Sequence, residues 1–194
     1  QLSWRRKVRS GDGEIVVALC EEALAGWRAA RPPRGVPAHL WASIQGAQLV
    51  SASPEQATVS TSAQGAFRTE GGERIQETSD IQAAMAVAAR LLDMVLYDVP
   101  NLRLSSVRVD VYGTFAAPDG NPEQRPILTT TAHRGIADSL EWETLSPDEL
   151  LEQFDTVIGQ SDTGVARAIE LPEVTGISAE EARMRTDTAA SQGG

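Results

Sequence analysis

Residues 104–135, LSSVRVDVYGTFAAPDGNPEQRPILTTTAHRG, decide the fold. Val107, Val109, Val111 and Phe115 fall on one side of an extended chain, and Arg108, Asp110, Tyr112 and Thr114 on the other, the two-residue period of a β-strand. APDGNPEQR supplies turn chemistry, and PILTTTAHRG, rich in threonine, returns as a second strand. This stretch therefore reads as a hairpin with one apolar and one polar face.

The segment before it, SDIQAAMAVAARLLDMVLYDVP, is the clearest helix in the chain. Ile81, Met85, Ala88, Leu92 and Val95 form an apolar stripe, widened by Ala84, Leu91 and Leu96. Ser79 at the cap and Gln82 three residues later make a capping box, and Pro100 ends the helix. With so few polar interruptions, the helix belongs against a sheet.

Farther upstream, residues 40–52 and 57–64 flank SPEQ and read as another hairpin. FRTEGGERIQETS between this hairpin and the helix reads as a mobile loop. Residues 14–30 form an amphipathic helix with Ile15, Leu19, Ala23 and Trp27 at four-residue steps, and RPPRGVP stops it. Downstream, SPDELLEQFDTVIG reads as one helix, with Ser146 as cap, Pro147 at its first position and Glu149 completing a capping box. Gly159 is its stop.

The order is a helix followed by two hairpin–helix units. It predicts an α+β fold with a four-stranded, mostly antiparallel sheet covered by helices on one face. The chain divides into a basic stub over residues 1–13, one domain over 14–171 and a flexible tail over 172–194, where the apolar pattern fades.

Composition narrows the chemistry. Of 17 cations, Lys7 is the only lysine, so from residue 8 onward no ammonium group can form a Schiff base or serve a phosphate loop. One cysteine, Cys20, excludes an intrachain disulfide, and with two histidines it leaves too few ligands for a Cys/His zinc site. Cys20 lies among apolar helix positions and reads as a small core side chain. No cofactor and no metal are expected. Setting aside Arg5, Arg6, Lys7 and Arg9 leaves 13 cations against 27 acids, or −14 on the remainder. A body so charged repels phosphate backbones and argues against nucleic acid.

Few residues suggest a site. His133 lies on the strand paired with the one carrying Asp110, so an imidazole–carboxylate pair is geometrically possible. A hairpin symmetric about Gly120 and Asn121 sets His133 opposite Arg108, with Asp110 a diagonal step away. A one-residue slip turns it to the apolar face. His39, with no second ligand at metal spacing, reads as a loop residue. Trp41 and Trp142 stand near element boundaries, where large rings pack on a core rim or form an interface. Trp4 followed by Arg5, Arg6, Lys7 and Arg9 has the order found where a chain leaves a membrane on its cytoplasmic side. A juxtamembrane stub and a disordered basic arm both fit it.

These features favour a non-enzymatic protein-interaction or assembly domain. It would be cytoplasmic, belonging to a membrane-anchored or multi-component prokaryotic system, with other proteins or a second copy as partner. Two alternatives stand beside it. One is a small hydrolase-type enzyme using His133 and Asp110, with Arg108 or Arg134 holding an anionic substrate. The other is a small-ligand sensor in the concavity of the sheet.

Overall fold

A computed structural model describes residues 13–192 of the chain. In chain order the elements are α1 (Gly13–Ala29), α2 (Ala38–Gln45), β1 (Gln48–Ala52), β2 (Gln56–Ser62), β3 (Ala66–Glu70), β4 (Glu73–Thr78) and α3 (Asp80–Tyr97). They continue with β5 (Ser106–Ala116), β6 (Pro122–His133), α4 (Arg134–Ala137), α5 (Pro147–Leu151), β7 (Asp155–Ile158), β8 (Ile177–Ser178) and α6 (Ala179–Gln192).

The decisive stretch folds as the β5–β6 hairpin. Val107 stands opposite Ala132, Val109 opposite Thr130 and Val111 opposite Leu128, and residues directly opposite share a face. That face meets α3, on which Leu91, Leu92, Ala84 and Ala88 are fully buried. The capping box forms as its residues imply: Ser79 Oγ accepts from the Gln82 N–H at 3.1 Å, and the Ser79 N–H donates to Gln82 Oε1 at 3.0 Å. Helices α1, α2 and α3 pack on one another in turn and, between them, against β1, β2, β5 and β6.

The sheet is larger than the sequence predicts. It has six strands in the order β7-β6-β5-β2-β1-β8, and β3 and β4 form a separate two-stranded sheet. The central pair β2–β5 is parallel, with Val59 opposite Val109, because the chain leaves β2 and returns through α3. A parallel neighbour requires such a crossover, whereas two adjoining hairpins do not.

Three further expectations are corrected. Residues 40–45, read as part of a strand, belong to α2, as does His39, read as a loop residue, because the Pro37 that closes RPPRGVP introduces a helix rather than a strand. The loop over residues 67–79 is largely the β3–β4 hairpin, turned by Gly71 and Gly72 at φ 61° and 88°. Both central residues lie in the left-handed region that a tight hairpin turn demands. The single helix expected after Ser146 ends at Leu151, and residues 155–158 extend as β7 along β6. Thr156 binds both sides of that change: its hydroxyl donates to the Leu151 carbonyl at 2.7 Å and lies 2.8 Å from Thr130 Oγ1. Strand pairing along the open side of β6 overrides a helical pattern only a few residues long.

Gly159 is therefore no helix stop. A Cβ there would lie 1.9 Å from the Arg167 carbonyl oxygen, so the residue permits a close backbone approach. It anchors a strap, residues 166–178, that crosses the polar face of the sheet. The Arg167 N–H donates to the Gly159 carbonyl and the Ile169 N–H to that of Pro126. Ser51 donates to the Thr175 carbonyl at 3.0 Å, and β8 then pairs with β1. Within residues 172–194, which the sequence reads as a flexible tail, residues 177 and 178 pair with β1 as β8, and Ala179 and Ala182 of α6 are buried. That part of the tail contributes little apolar area. It is tied by its backbone, which hydropathy does not report.

Candidate functional site

His133 and Asp110 share the polar face of the sheet but do not meet. His133 stands opposite Ser106, and Asp110 opposite Thr129, four residues along the strand. The symmetric register is missed by two residues, so the predicted face is kept and the predicted neighbour is lost. The imidazole Nε2 lies 3.1 Å from Asp155 Oδ2 on β7, in the open. Asp110 is fully engaged elsewhere. Arg108 Nε and Nη2 donate to its two oxygens at 2.8 and 2.9 Å, and Thr129 Oγ1 donates at 2.6 Å.

Arg108 is likewise spent on structure, since its Nη1 donates to the strap carbonyls of Pro172 and Glu173 at 2.9 and 3.1 Å. The buried pair thus clamps the strap to the sheet. Arg134 donates to the Leu104 and Leu96 carbonyls, tying the end of β6 to the end of α3. His133 and Asp110 are not assembled into an imidazole–carboxylate pair, and the strap lies over the polar face of the sheet.

Trp41 is 5% exposed and its indole N–H donates to the Ala30 carbonyl, so it packs in the core. Cys20 is buried too; burial, reinforced by Glu21, pushes its thiol up to about 12, far from a reactive thiolate. His39 sits exposed on α2. Among the described residues no three His, Cys, Asp or Glu side chains gather as metal ligands would, and no helix is long and apolar enough to cross a membrane. Trp4, Arg5, Arg6, Lys7 and Arg9 lie outside the described residues.

Two features stand out instead. The first is the β3–β4 hairpin, an arm separate from the main sheet. Gly65 fixes its base: a Cβ there would lie 2.2 Å from the Thr78 carbonyl, and its N–H donates to Asp80 Oδ1 at 2.6 Å. Beyond that base nearly every residue is exposed, including Phe67 at 45% and Ile75 at 37%. Phe67 pairs with Gln76 and Arg68 with Ile75, so the two apolar side chains occupy opposite faces of the arm. Arg74 lies over the Phe67 ring at 4.0 Å, and Arg68 reaches Glu70 at 2.8 Å and Glu77 at 3.8 Å.

The second feature is a cleft of about 480 Å³ between α3 and residues 142–150. Ala86, Ala89, Arg90, Asp93 and Tyr97 recur at the three- and four-residue steps of one helix face and line one side. Trp142, Leu145 and Leu150 line the other. Trp142 meets Tyr97 edge-on at 5.8 Å and Phe154 at 5.9 Å, and its N–H donates to the Ala137 carbonyl at 2.9 Å. The Tyr97 hydroxyl donates to Asp138 Oδ1 at 2.8 Å, while Arg134 lies over its ring at 5.2 Å. Burial, then the bond to Asp138, pushes the phenol up to about 12. Burial also raises the Asp93 carboxyl; Arg90, at 2.6 Å, opposes the shift and Asp98 adds to it. Trp142 was singled out by its position at a boundary. The α3 residues of the cleft lie beside the apolar stripe and include Arg90 and Asp93, which read as an ordinary solvated flank, and the arm's one signal is its paired glycines.

Comparison with protein families, with curated proteins and with solved structures finds no match to this chain.

Proposed function

We propose that this chain is a non-enzymatic protein-interaction or assembly domain that meets its partner through the β3–β4 arm. The exposure of the arm supports this reading. A solitary two-stranded hairpin is at best marginally stable in water, and this one covers neither face. Its apolar side chains stand singly among Arg68, Arg74, Glu70, Glu73 and Glu77, the mixture of apolar anchor and charged surround that protein interfaces use. Trp41, enclosed in the core, drops out of the interaction surface.

Affinity purification of the tagged full-length protein from its native host, with partners identified by mass spectrometry, tests the reading. The Phe67→Ser/Ile75→Thr double variant serves as comparison. At least one protein should be recovered with the wild type and depleted about tenfold or more with the variant, the loss of one interfacial anchor. Identical partner lists would sink the proposal.

In this reading the domain works at the cytoplasmic face of a membrane-anchored or multi-component prokaryotic system. Trp4, Arg5, Arg6, Lys7 and Arg9 would face anionic lipid. Co-sedimentation with phosphatidylserine vesicles should fall when the four cations are changed to glutamine. Equal sedimentation of the two proteins refutes the lipid contact and leaves the arm untouched.

A further inference from the structure

The cleft between α3 and residues 142–150 plays no part in the arm's function, and its chemistry points to a ligand of its own. Its volume, about 480 Å³, lies within the range of small-molecule sites. Its aromatic side is held before any ligand arrives, because Trp142 is fixed by the Ala137 carbonyl and Tyr97 by Asp138. Such preorganisation lowers the ordering cost of binding. Ala86 and Ala89 leave room on the α3 side, where larger side chains would fill the space.

The charges lining the cleft do not cancel. Arg90 is its one cation, and one of its guanidinium nitrogens is already committed to Asp93. Asp93 and Glu143 are its two carboxylates, which leaves −1. Asp98 is close enough to disfavour the Asp93 charge, so a carboxylate partly withdrawn from water lies beside a second one. An anion entering here meets more negative than positive charge, on a protein of net −10. A cation meets two carboxylates and the indole of Trp142, whose ring attracts positive charge.

We propose that this cleft binds an organic cation, an ammonium or guanidinium group carried on an apolar body. The body lies along Ala86, Ala89, Leu145 and Leu150, and the charged head sits between Asp93 and Glu143 against Trp142. The same head group occurs on a free amine and on the arginine side chain of a partner protein.

Calorimetric titration of the full chain distinguishes these sources and tests the site. The probes are phenethylammonium, Nα-acetyl-arginine-methylamide, the neutral isostere phenethyl alcohol and the anion phenylacetate. Both cations should bind, and at least one should bind about tenfold more tightly than the alcohol, with the anion weaker still. A stronger amine indicates a free ligand, and a stronger arginine derivative indicates a partner's side chain. Glu143→Gln, at an exposed position, should weaken the better cation about threefold. Trp142→Leu should weaken it about tenfold or more, and Glu22→Gln on α1 should leave it unchanged. Phenethyl alcohol or phenylacetate binding as tightly as the cations overturns the proposal. So does unchanged cation affinity in Glu143→Gln together with Trp142→Phe, a variant that keeps an aromatic ring in the packing, or the failure of every probe to bind.

Discussion

Two arginine–carboxylate pairs occupy the same spacing on two hairpins of this protein. Arg108 and Asp110 lie two residues apart on β5, with side chains 5% and 4% exposed. Arg68 and Glu70 lie two residues apart on β3, with side chains 56% and 64% exposed. The N–O distance is 2.8 Å in both. That distance does not separate the pairs, but Arg108 grips both oxygens of Asp110 through Nε and Nη2, and the surroundings differ. Around Arg108 and Asp110 every side-chain nitrogen and oxygen has a hydrogen-bond partner, with Thr129 on one side and the strap carbonyls on the other. Arg68 and Glu70 lie open to solvent. The same two-residue spacing locks a topology in one place and decorates a surface in the other.

The comparison is tested most severely at Asp110. Asp110→Ala leaves a buried guanidinium without its anion and should cost about 3–5 kcal/mol, read from urea denaturation. The strap should loosen as well, so backbone amides at 167 and 169 should lose hydrogen-exchange protection beyond the global change. A cost below about 1 kcal/mol would place the buried pair on the same footing as the surface pair. Replacing both partners by apolar residues, Arg108→Met with Asp110→Leu, sharpens the point. The charges vanish together, but the Pro172 and Glu173 carbonyls lose their donor. The double variant should be more stable than Asp110→Ala and still less stable than wild type.

A smaller effect belongs to the apolar face of the same strand. Val109 is fully buried, opposite Val59 and Thr130. Val109→Ala should cost about 2 kcal/mol, the transfer of two methyl groups plus the space they leave.

What the sequence discloses follows the same division. The β5 alternation, the α3 stripe and both capping boxes were legible because each is written in consecutive side chains. The β2–β5 pairing, the strap and β7 were not, because each depends on backbone carbonyls or N–H groups, the same in every residue, meeting partners far along the chain. The register of His133 shows the limit most clearly. Face is a matter of parity and survived a two-residue shift, whereas the partner of an imidazole is a matter of position and did not. Trp41 stands near an element boundary, where a ring can pack on a core rim or form an interface, and only its burial places it in the core. The arm was concealed for the opposite reason, since charges with two glycines suit a loop and a solvated hairpin equally well.

The smallest effect expected is also the one that defines the arm. Arg68→Ala removes an exposed pair and should change the denaturation midpoint by no more than about 0.5 kcal/mol of stability. The Phe67→Ser/Ile75→Thr variant should melt within a few degrees of wild type, since neither side chain is buried in the core. Hydrogen exchange separates this outcome from mere tolerance. Amides paired between β3 and β4 should exchange through local opening, at a free energy well below that of β5 and largely indifferent to global destabilisation by Asp110→Ala. The amide of Gly65, bonded to Asp80 at the arm's base, should mark the boundary between the two regimes. If the β3 and β4 amides are instead as protected as those of β5, the arm shares the cooperative core, and its exposed phenylalanine and isoleucine are no evidence of a surface kept free for a partner.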